Sequence, residues 1–315
     1  MTQAPTPTAD TVRRLARTLL KDSGAAAASR PDVRPVSEEA GHTAWWVGAH
    51  HVLRLAPDRG TSARRRREPR LRDLVRPHVP VALPVLVAQG EWAPGLLCTL
   101  DTRLPGGTAE EHTVSAVGET DLSGLLTGLH KVPARQAETL GVPRVAPRSL
   151  EALRRAAREA AERLAEADEF DPGRLDQLSP PAAVQLAAQS GTAVLVHHAL
   201  TGGHLLVGGD GRVRGVLGWD AAVVGDPAED IAGLAVAVGA PAAVRAATLA
   251  GYGARPCLRG LWLARCDAVV HLADALAGRA TARPRLRLLR TRLRRAWEPI
   301  MLERVTDLRK EDDAL

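Results

Sequence analysis

The sequence is poor in cysteine and in long apolar runs, and both scarcities narrow the class of protein it can encode. Its three cysteines, Cys98, Cys257 and Cys266, form neither a CxxC pair nor an even set, so a disulfide framework is not indicated. No run approaches the ~18 apolar residues of a membrane span. The first ten residues lack the charged start and apolar core of a secretory signal. A reduced, cytoplasmic protein with no membrane partner is expected.

Lysine, phenylalanine and tyrosine are scarce as well. Only three of the 42 basic residues are lysines, and one Phe and one Tyr accompany six Trp. Heavy use of Ala, Arg and Gly in their place is typical of a GC-rich genome, so the arginine content is partly codon bias. The formal net charge of +6 is modest for 315 residues. It permits an anionic ligand but does not by itself indicate a nucleic-acid-binding protein.

One segment near the C-terminus concentrates arginine. Residues 284–298 read as a helix that mixes leucines and arginines. Such a helix can present a basic patch to nucleic acid or a membrane surface, or it can lay its leucines on the core and its arginines in water. The second interpretation is favoured, because phosphate binding normally needs a wider basic face than one helix supplies. Nucleic acid is therefore not an expected partner.

The chain is organised around residues 193–232. Two short apolar runs, 193–196 and 204–207, flank a glycine-bearing loop, and a third, 213–219, follows a glycine-rich turn at 208–211. This pattern predicts a loop held between short strands, followed by a hairpin. A helix is expected next, with Asp226 as its cap, Pro227 at its first position and Glu229 completing a capping box.

This layout resembles the aminoglycoside/macrolide phosphotransferase family, whose fold is that of the protein kinases. The shared frame comprises His197, Leu200, Leu205-Leu206-Val207, Trp219 and the segment GDPAEDIA at 225–232. The resemblance extends over about residues 33–252 and implies an α+β, two-lobed, kinase-like fold. It places a small β-rich N-terminal lobe at 1–105, a hinge at 104–107 and a larger helical C-terminal lobe at 106–315. Within that lobe, the catalytic loop falls at 197–204 and its hairpin at 213–220.

The chemical groups of the family are missing from this frame. By the resemblance, Ala199 stands at the catalytic aspartate and His198 at the glycine before it, while His204 and Gly218 stand at the two metal ligands. Phosphoryl transfer needs a carboxylate to orient the acceptor hydroxyl and Mg²⁺ to neutralise phosphate charge. Alanine and glycine offer no side-chain acceptor, and imidazole is a poor ligand for a hard cation. An active phosphotransferase is not expected.

The N-terminal part retains two positions of the family's nucleotide site. Arg54 matches the phosphate-binding lysine and Glu68 the glutamate that pairs with it, although both residues could equally decorate a solvated, arginine-rich face. Residues 41–46 fall where the glycine-bearing nucleotide flap is expected, with a single glycine. No cofactor is required by this sequence, no metal ligand is assigned, and the binding of ATP and Mg²⁺ is left in question.

The favoured function is binding of a small molecule, an antibiotic or natural product, in the interlobe cleft. Self-resistance by sequestration or an accessory role in biosynthesis would suit such a catalytically degenerate protein. Loss of Asp and Asn lowers the negative charge of the cleft floor, and Trp45, Trp46 and Trp92 would add flat apolar surface near its mouth. The predicted cleft residues are Trp45, Trp46, Arg54, Glu68, His197, His198, Ala199, His204, Gly218, Trp219 and Asp220.

Two enzymatic alternatives stay open. In the first, a repurposed enzyme acts on a natural product through His198 or His204, and Asp220 orients one of them. In the second, a residual ATP-dependent small-molecule phosphotransferase recruits Mg²⁺ through Asp220. Asp220 lies two residues past the lost aspartate, a shift of roughly 7 Å along a strand. A zinc site is less favoured, because the adjacent His197 and His198 should point in different directions. The oligomeric state is not determined by the sequence.

Overall fold

The computed structural model describes residues 6–22, 24, 31–36, 43–187, 193–278 and 282–300. A small antiparallel sheet with two helices comes first along the chain, and a larger, mainly helical part follows. The predicted α+β class is therefore confirmed. None of the described helices is both long and apolar enough to cross a lipid bilayer.

The sheet-rich part contains five strands. Its elements are α1 (Ala9–Asp22), β1 (Val33–Pro35), β2 (Ala44–Val47), β3 (His51–Leu55), α2 (Arg59–Val75), β4 (Leu86–Ala93) and β5 (Leu96–Thr102). The strands are ordered β1-β2-β3-β5-β4, and every pair is antiparallel. The apolar stretch at 79–87 predicts a strand, but β4 begins only at Leu86. Pro80 and Pro84 explain the difference, since proline cannot donate to a strand ladder.

Helix α2 places one of the predicted site residues. Asp58 caps it, because the Asp58 carboxylate accepts a hydrogen bond from the Thr61 backbone N–H at 2.7 Å. Pro69 lies inside the helix. The inward face of α2 carries Glu68, Leu71, Arg72 and Val75, all buried against the sheet side of the molecule, whereas most of its other arginines face solvent.

The helical part contains eight α-helices among the residues described, six of them with ten or more residues, and short strands between them. Its elements are β6 (Gly107–Thr108), α3 (Ala116–Lys131), α4 (Ala134–Thr139), α5 (Leu150–Glu166), α6 (Pro180–Gln185), β7 (Val194–Val196), β8 (Leu205–Val207), β9 (Val213–Val216), β10 (Val223–Gly225), α7 (Ala228–Val238), α8 (Ala240–Leu249), α9 (Ala254–Ala277) and α10 (Arg283–Ala296). The alanine-rich segment 182–190, which follows two prolines, predicts a helix. Instead α6 begins at Pro180 and ends at Gln185, and residues 188–190 lie outside the described part of the chain.

The central stretch folds as two small sheets joined by the predicted loop. Strands β8 and β9 form the expected hairpin, with β6 on the outer side of β8, while β7 pairs with β10. Helix α7 begins at Ala228, whose N–H donates to the Asp226 carboxylate at 3.0 Å. Glu229 does not complete a capping box; it forms an ion pair with Arg148 at 2.7 Å.

Helix α10 follows the second of its two interpretations. Leu289 and Leu293 are buried in the core of the helical part, and the arginines between them face outward or pair with acidic residues. Arg290 pairs with Glu169, and Arg292 pairs with Glu110 at 2.8 Å. The helix is amphipathic because its leucines recur at helical spacing.

Candidate functional site

The loop at 197–204 is anchored by a carboxylate on α7. Asp230, which is 2% exposed, accepts hydrogen bonds from the backbone N–H groups of His197 and His198, each at 2.8 Å. Burial raises the pKa of Asp230 to about 7, although the two N–H bonds act to lower it. Asp230 belongs to the GDPAEDIA segment at 225–232, but the sequence analysis gave it no role. Its position in that segment was the signal that could have identified it as the anchor of the loop.

His197 supports the loop from inside. Its ring is fully buried, lies edge-on to Trp219 at 4.6 Å between ring centres, and contacts the Leu217 carbonyl oxygen through Nε2 at 2.8 Å. Because a carbonyl only accepts, Nε2 carries the proton and Nδ1 is left to accept from the Ala199 N–H at 3.3 Å. Burial, followed by the nearby His204, lowers the pKa of His197 to about 3. His197 is thus a neutral internal support.

Trp219 is also part of this support. It is fully buried, and its indole N–H donates to the Val216 carbonyl at 3.0 Å. Sequence reasoning placed both His197 and Trp219 on the ligand-binding surface. The structure buries both side chains, which pack against each other and satisfy their polar atoms with backbone groups.

His198 occupies a backbone conformation that favours glycine. Its φ is 64°, in the left-handed region where residues with a Cβ atom are uncommon. The side chain is exposed, while the backbone N–H stays bound to Asp230. This geometry gives a physical reason for the glycine that the resembling motif carries at this position. It also directs the side chains of His197 and His198 to different environments, one buried and one exposed.

His204 and Gly218 share one space. Nδ1 of His204 donates to the Ala199 carbonyl at 2.6 Å, which holds the half-buried ring in place. Gly218 has a φ of 81°, and a Cβ atom added there would lie 2.8 Å from both Cδ2 and Nε2 of His204. The imidazole therefore fills the volume that a side chain at position 218 would need. Position-by-position comparison of sequences could not reveal that these two residues compensate each other in size.

The two residues at the resembling metal positions do not fit Mg²⁺. They provide one imidazole and no carboxylate, whereas Mg²⁺ requires oxygen ligands in octahedral geometry. Across the residues that the structure describes, no group of three His, Cys, Asp or Glu side chains could hold a metal ion. The three loop histidines thus do not converge: the His197 and His204 ring centres are 6.1 Å apart, and His198 faces solvent.

Asp220 lies beside α2. The turn at Trp219–Ala221 contacts α2, where the Arg67 guanidinium donates to the Asp220 backbone carbonyl at 3.3 Å. Burial lowers the pKa of Arg65 and acts to lower that of Arg54, and the Asp220 carboxylate opposes both effects. No described hydrogen bond or ion pair joins Asp220 to His198 or His204. The structure therefore does not bring together the acid–base pair that sequence reasoning considered.

Arg54 and Glu68 form the predicted ion pair, with Nη2 and Oε2 at 2.7 Å. A second carboxylate, Asp101 on β5, also binds Arg54, with Nε and Oδ2 at 3.1 Å, and binds Arg72 at 2.7 Å. Burial acts to lower the pKa of Arg54, but Glu68 and then Asp101 outweigh it and raise that pKa. Sequence reasoning missed Asp101 because nothing in β5 signals that it faces the same side of the sheet as Arg54.

The three tryptophans predicted near the mouth of the cleft, Trp45, Trp46 and Trp92, do not form a common apolar surface. Trp45 is 5% exposed and packs in the core between the sheet and α1, and Trp92 packs beside that core with its indole N–H on the Ala56 carbonyl at 3.0 Å. Trp46 projects from the opposite face, because successive residues of a strand alternate. There the Arg103 guanidinium carbon lies 4.1 Å from its ring centre. Trp45 is thus a core residue, and residues 41–42 of the expected flap lie outside the described residues.

Comparison with known proteins shows which family this architecture belongs to. The model of the phosphotransferase enzyme family matches residues 32–261. A search of curated protein sequences finds no match.

Solved structures of phosphotransferases are similar to this chain. One is aminoglycoside 2'-phosphotransferase-IIIa in its GDP complex, with 16% identity, a TM-score of 0.65, and coverage of 91% of this chain and 98% of that chain. A complex of APH(2")-IIia with GDP and kanamycin has 18% identity, a TM-score of 0.64, and coverage of 89% and 97%. The apoenzyme of macrolide 2'-phosphotransferase MphH from Brachybacterium faecium has 22% identity, a TM-score of 0.56, and coverage of 87% and 97%.

The small antiparallel sheet and the larger helical part agree with the kinase-like fold of these structures, as the resemblance implied. Since the family model matches most of the chain, this protein belongs to the phosphotransferase enzyme family.

Proposed function

We propose that this protein binds a small molecule in the cleft between its sheet-rich and helical parts and does not transfer a phosphoryl group to it. The ligand class is an antibiotic or natural product, and the role is sequestration or an accessory step in biosynthesis. The observation that carries the proposal is the packing of His204 against Gly218 beside Ala199, because it leaves the positions of the base and of both metal ligands without a carboxylate.

The first missing group is the base. A carboxylate at position 199 would orient the acceptor hydroxyl. The Ala199 side chain has no polar atom, and its carbonyl oxygen already accepts from the Thr201 N–H at 2.7 Å and from His204 Nδ1 at 2.6 Å. An amide carbonyl does not take up a proton near neutral pH. The loop therefore supports ligand contact but not activation of a hydroxyl.

The second missing group is the metal site. A carboxylate at position 218 would require the His204 ring to leave its place, since even a Cβ atom there would lie 2.8 Å from that ring. The pair is packed as a unit that excludes an oxygen ligand. We accordingly propose that Mg²⁺ and a nucleotide are not cofactors of this protein.

The charge of Arg54 supports the same proposal. Glu68 and Asp101 both contact its guanidinium and are 1% and 2% exposed, so two buried carboxylates already balance this arginine and the neighbouring Arg72. A phosphate group arriving at Arg54 would have to compete with carboxylates that are held at 2.7–3.0 Å. A kinase-like nucleotide site also pairs its basic residue with one glutamate. The additional buried carboxylate of Asp101 is therefore what makes Arg54 a weaker phosphate ligand here.

The names of the similar structures describe what this fold can hold. They include complexes with GDP and kanamycin, with streptomycin and ATP, and with gentamicin. Such a fold thus accommodates a small molecule beside a nucleotide. We propose that this chain retains the small-molecule function and has lost the nucleotide-dependent one.

Calorimetric titration and a turnover assay test the proposal. Metal-free protein is titrated with ATP and with GTP, each with and without Mg²⁺, and product release is followed with kanamycin, gentamicin and a macrolide as acceptors. We expect no tightening by Mg²⁺ and no turnover. Release of ADP or GDP that depends on the acceptor would overturn the proposal. If titration with ATP or GTP releases heat, the same titration of Arg54→Gln shows whether the nucleotide binds at the ion-pair cluster of Arg54, Glu68 and Asp101.

A thermal-shift screen of antibiotics and natural products identifies the ligand. Its stabilising effect should disappear in Ala199→Trp, which fills the position of the absent aspartate, and should persist in Arg287→Gln on the far helix α10. A ligand that stabilises both variants equally would place binding outside the cleft.

A further inference from the structure

A separate cavity lies between α10 and the segment that follows β6. Its volume is about 420 Å³, and it is lined by Glu110, Pro284, Arg285, Leu288, Leu289 and Arg292. None of these residues belongs to the loop at 197–204 or to the ion-pair cluster around Arg54. The volume is in the range of small-molecule sites in proteins, roughly 300–1,000 Å³.

We infer that this cavity is a second binding site, for a small molecule that carries one anionic group on an apolar body. Its chemistry follows from the spacing on α10. Arg285, Leu288, Leu289 and Arg292 stand at positions i, i+3, i+4 and i+7, and therefore share one helix face. The two leucines give an apolar floor, and one guanidinium stands at each end of it.

The two arginines are in different states. Arg292 is paired with Glu110 at 2.8 Å, and both side chains are about one quarter exposed. Arg285 is exposed and forms no ion pair or hydrogen bond with any residue that the structure describes. With two guanidiniums and one carboxylate, the lining has an excess of one positive charge. Arg285 is thus the free cation of the cavity and can bind a carboxylate, sulfonate or phosphate through parallel N–H bonds.

Both walls of the cavity are held in place. On one side, Leu289 and Leu293 fix α10 to the core, and the Arg295 guanidinium donates to the backbone carbonyls of Ala237 and Ala109. On the other, the Ala109 N–H donates to the Gly202 and Leu205 carbonyls, each at 3.0 Å. A cavity whose walls are anchored before a ligand arrives loses little conformational freedom on binding.

The charge of the lining also selects against one ligand class. A polycationic aminoglycoside would meet two arginines and a single carboxylate that is already paired. Like charges placed together oppose binding, so the cavity suits an amphipathic monoanion and not a polycation. This inference does not depend on the proposed function, because none of the residues predicted for the cleft lines the cavity.

Fluorescence titration with 8-anilinonaphthalene-1-sulfonate, an aromatic monoanion, tests the inference in the full-length protein. Octanoate, octanol and octylamine then serve as anionic, neutral and cationic competitors of equal chain length. We expect octanoate to displace the probe and octylamine to fail. Arg285→Gln should weaken probe binding about tenfold, as expected for loss of one charge-assisted hydrogen bond.

Two further variants have different expected effects on probe binding. Glu110→Gln should tighten probe binding several-fold, because it frees the Arg292 guanidinium for the anion. Arg287→Gln, an exposed arginine of the same helix outside the lining, should leave binding unchanged. Equal affinities of Arg285→Gln and Arg287→Gln, or equal displacement by octanoate and octylamine, would overturn the inference. Ala199→Trp should not alter this binding, which separates the result from the fate of the cleft proposal.

Discussion

The packing of Gly218 against His204 makes a quantitative prediction about stability. In Gly218→Ala, the new Cβ atom would have two costs. The residue would keep a φ of 81°, and its methyl group would lie 2.8 Å from the His204 ring. The ring cannot move away freely, because its Nδ1 donates to the Ala199 carbonyl at 2.6 Å.

The two costs can be estimated separately. Left-handed backbone costs a residue with a Cβ atom about 1–2 kcal/mol, and overpacking costs about 1–3 kcal/mol. Gly218→Ala should therefore lower the free energy of unfolding by about 2–5 kcal/mol. His204→Ala alone should cost about 1 kcal/mol for its lost hydrogen bond. In the double variant the clash is absent, so its loss should be about 1–3 kcal/mol smaller than the sum of the two single losses.

Urea unfolding of the wild type, both single variants and the double variant measures this coupling. Gly251→Ala is the matched control, because Gly251 also has a positive φ of 90° but nothing within 4 Å of its added Cβ atom. That control should show only the backbone cost. If the losses at 218 and 204 add within about 0.5 kcal/mol, the two residues do not share one space and the reasoning fails.

Three more predictions concern buried charges. Asp230→Asn should lower the free energy of unfolding by about 1–3 kcal/mol in urea, since an amide nitrogen cannot accept the second backbone N–H of the loop; no loss would remove Asp230 as the anchor. His197, with a pKa of about 3, contributes stability above its unfolded value near 6.5 that is lost as the pH falls toward 3. Asp230, with a pKa of about 7, acts oppositely, because its contribution is present below about pH 4 and is lost as the pH rises to 7. Between pH 6.5 and 4 the contributions of His197 and Asp230 to the free energy of unfolding change in opposite directions. Asp230→Asn retains only the His197 contribution, so its free energy of unfolding should fall more steeply on acidification than that of the wild type. Equal slopes of unfolding free energy against pH would contradict these two pKa assignments. Asp101→Asn should destabilise the fold by about 3–5 kcal/mol in the same assay, because it leaves Arg54 and Arg72 short of a shared buried carboxylate.

The local pattern of the sequence was sufficient for the frame of the fold. Alternating apolar residues and glycine turns predicted the β8–β9 hairpin, and Asp226 predicted the start of α7, where its carboxylate accepts from the Ala228 N–H at 3.0 Å. These features depend on neighbours in the chain, so their signals lie in consecutive residues. The Arg54–Glu68 pair was accessible for a different reason, since a family motif relates the two distant positions.

Other features depended on which distant segments meet. Strand alternation places the Trp45 side chain in the core, and the turn at Trp219–Ala221 places Asp220 beside α2. Sequence reasoning had treated each of these residues by type alone. Burial and the direction of a side chain follow from tertiary packing, which residue type does not encode.

The sequence by itself determined that positions 199 and 218 lack the carboxylates of the resembling motif, because Ala199 and Gly218 have no polar side-chain atom in any fold. Only the tertiary structure decided what replaces them. The His204 ring closes the space above Gly218, Asp230 holds the loop by two backbone N–H groups, and Asp101 joins Arg54 to Arg72. Each of these contacts joins segments far apart in the chain or depends on a ring orientation set by a backbone carbonyl. Chain composition fixes which groups are available, and packing fixes which of them meet.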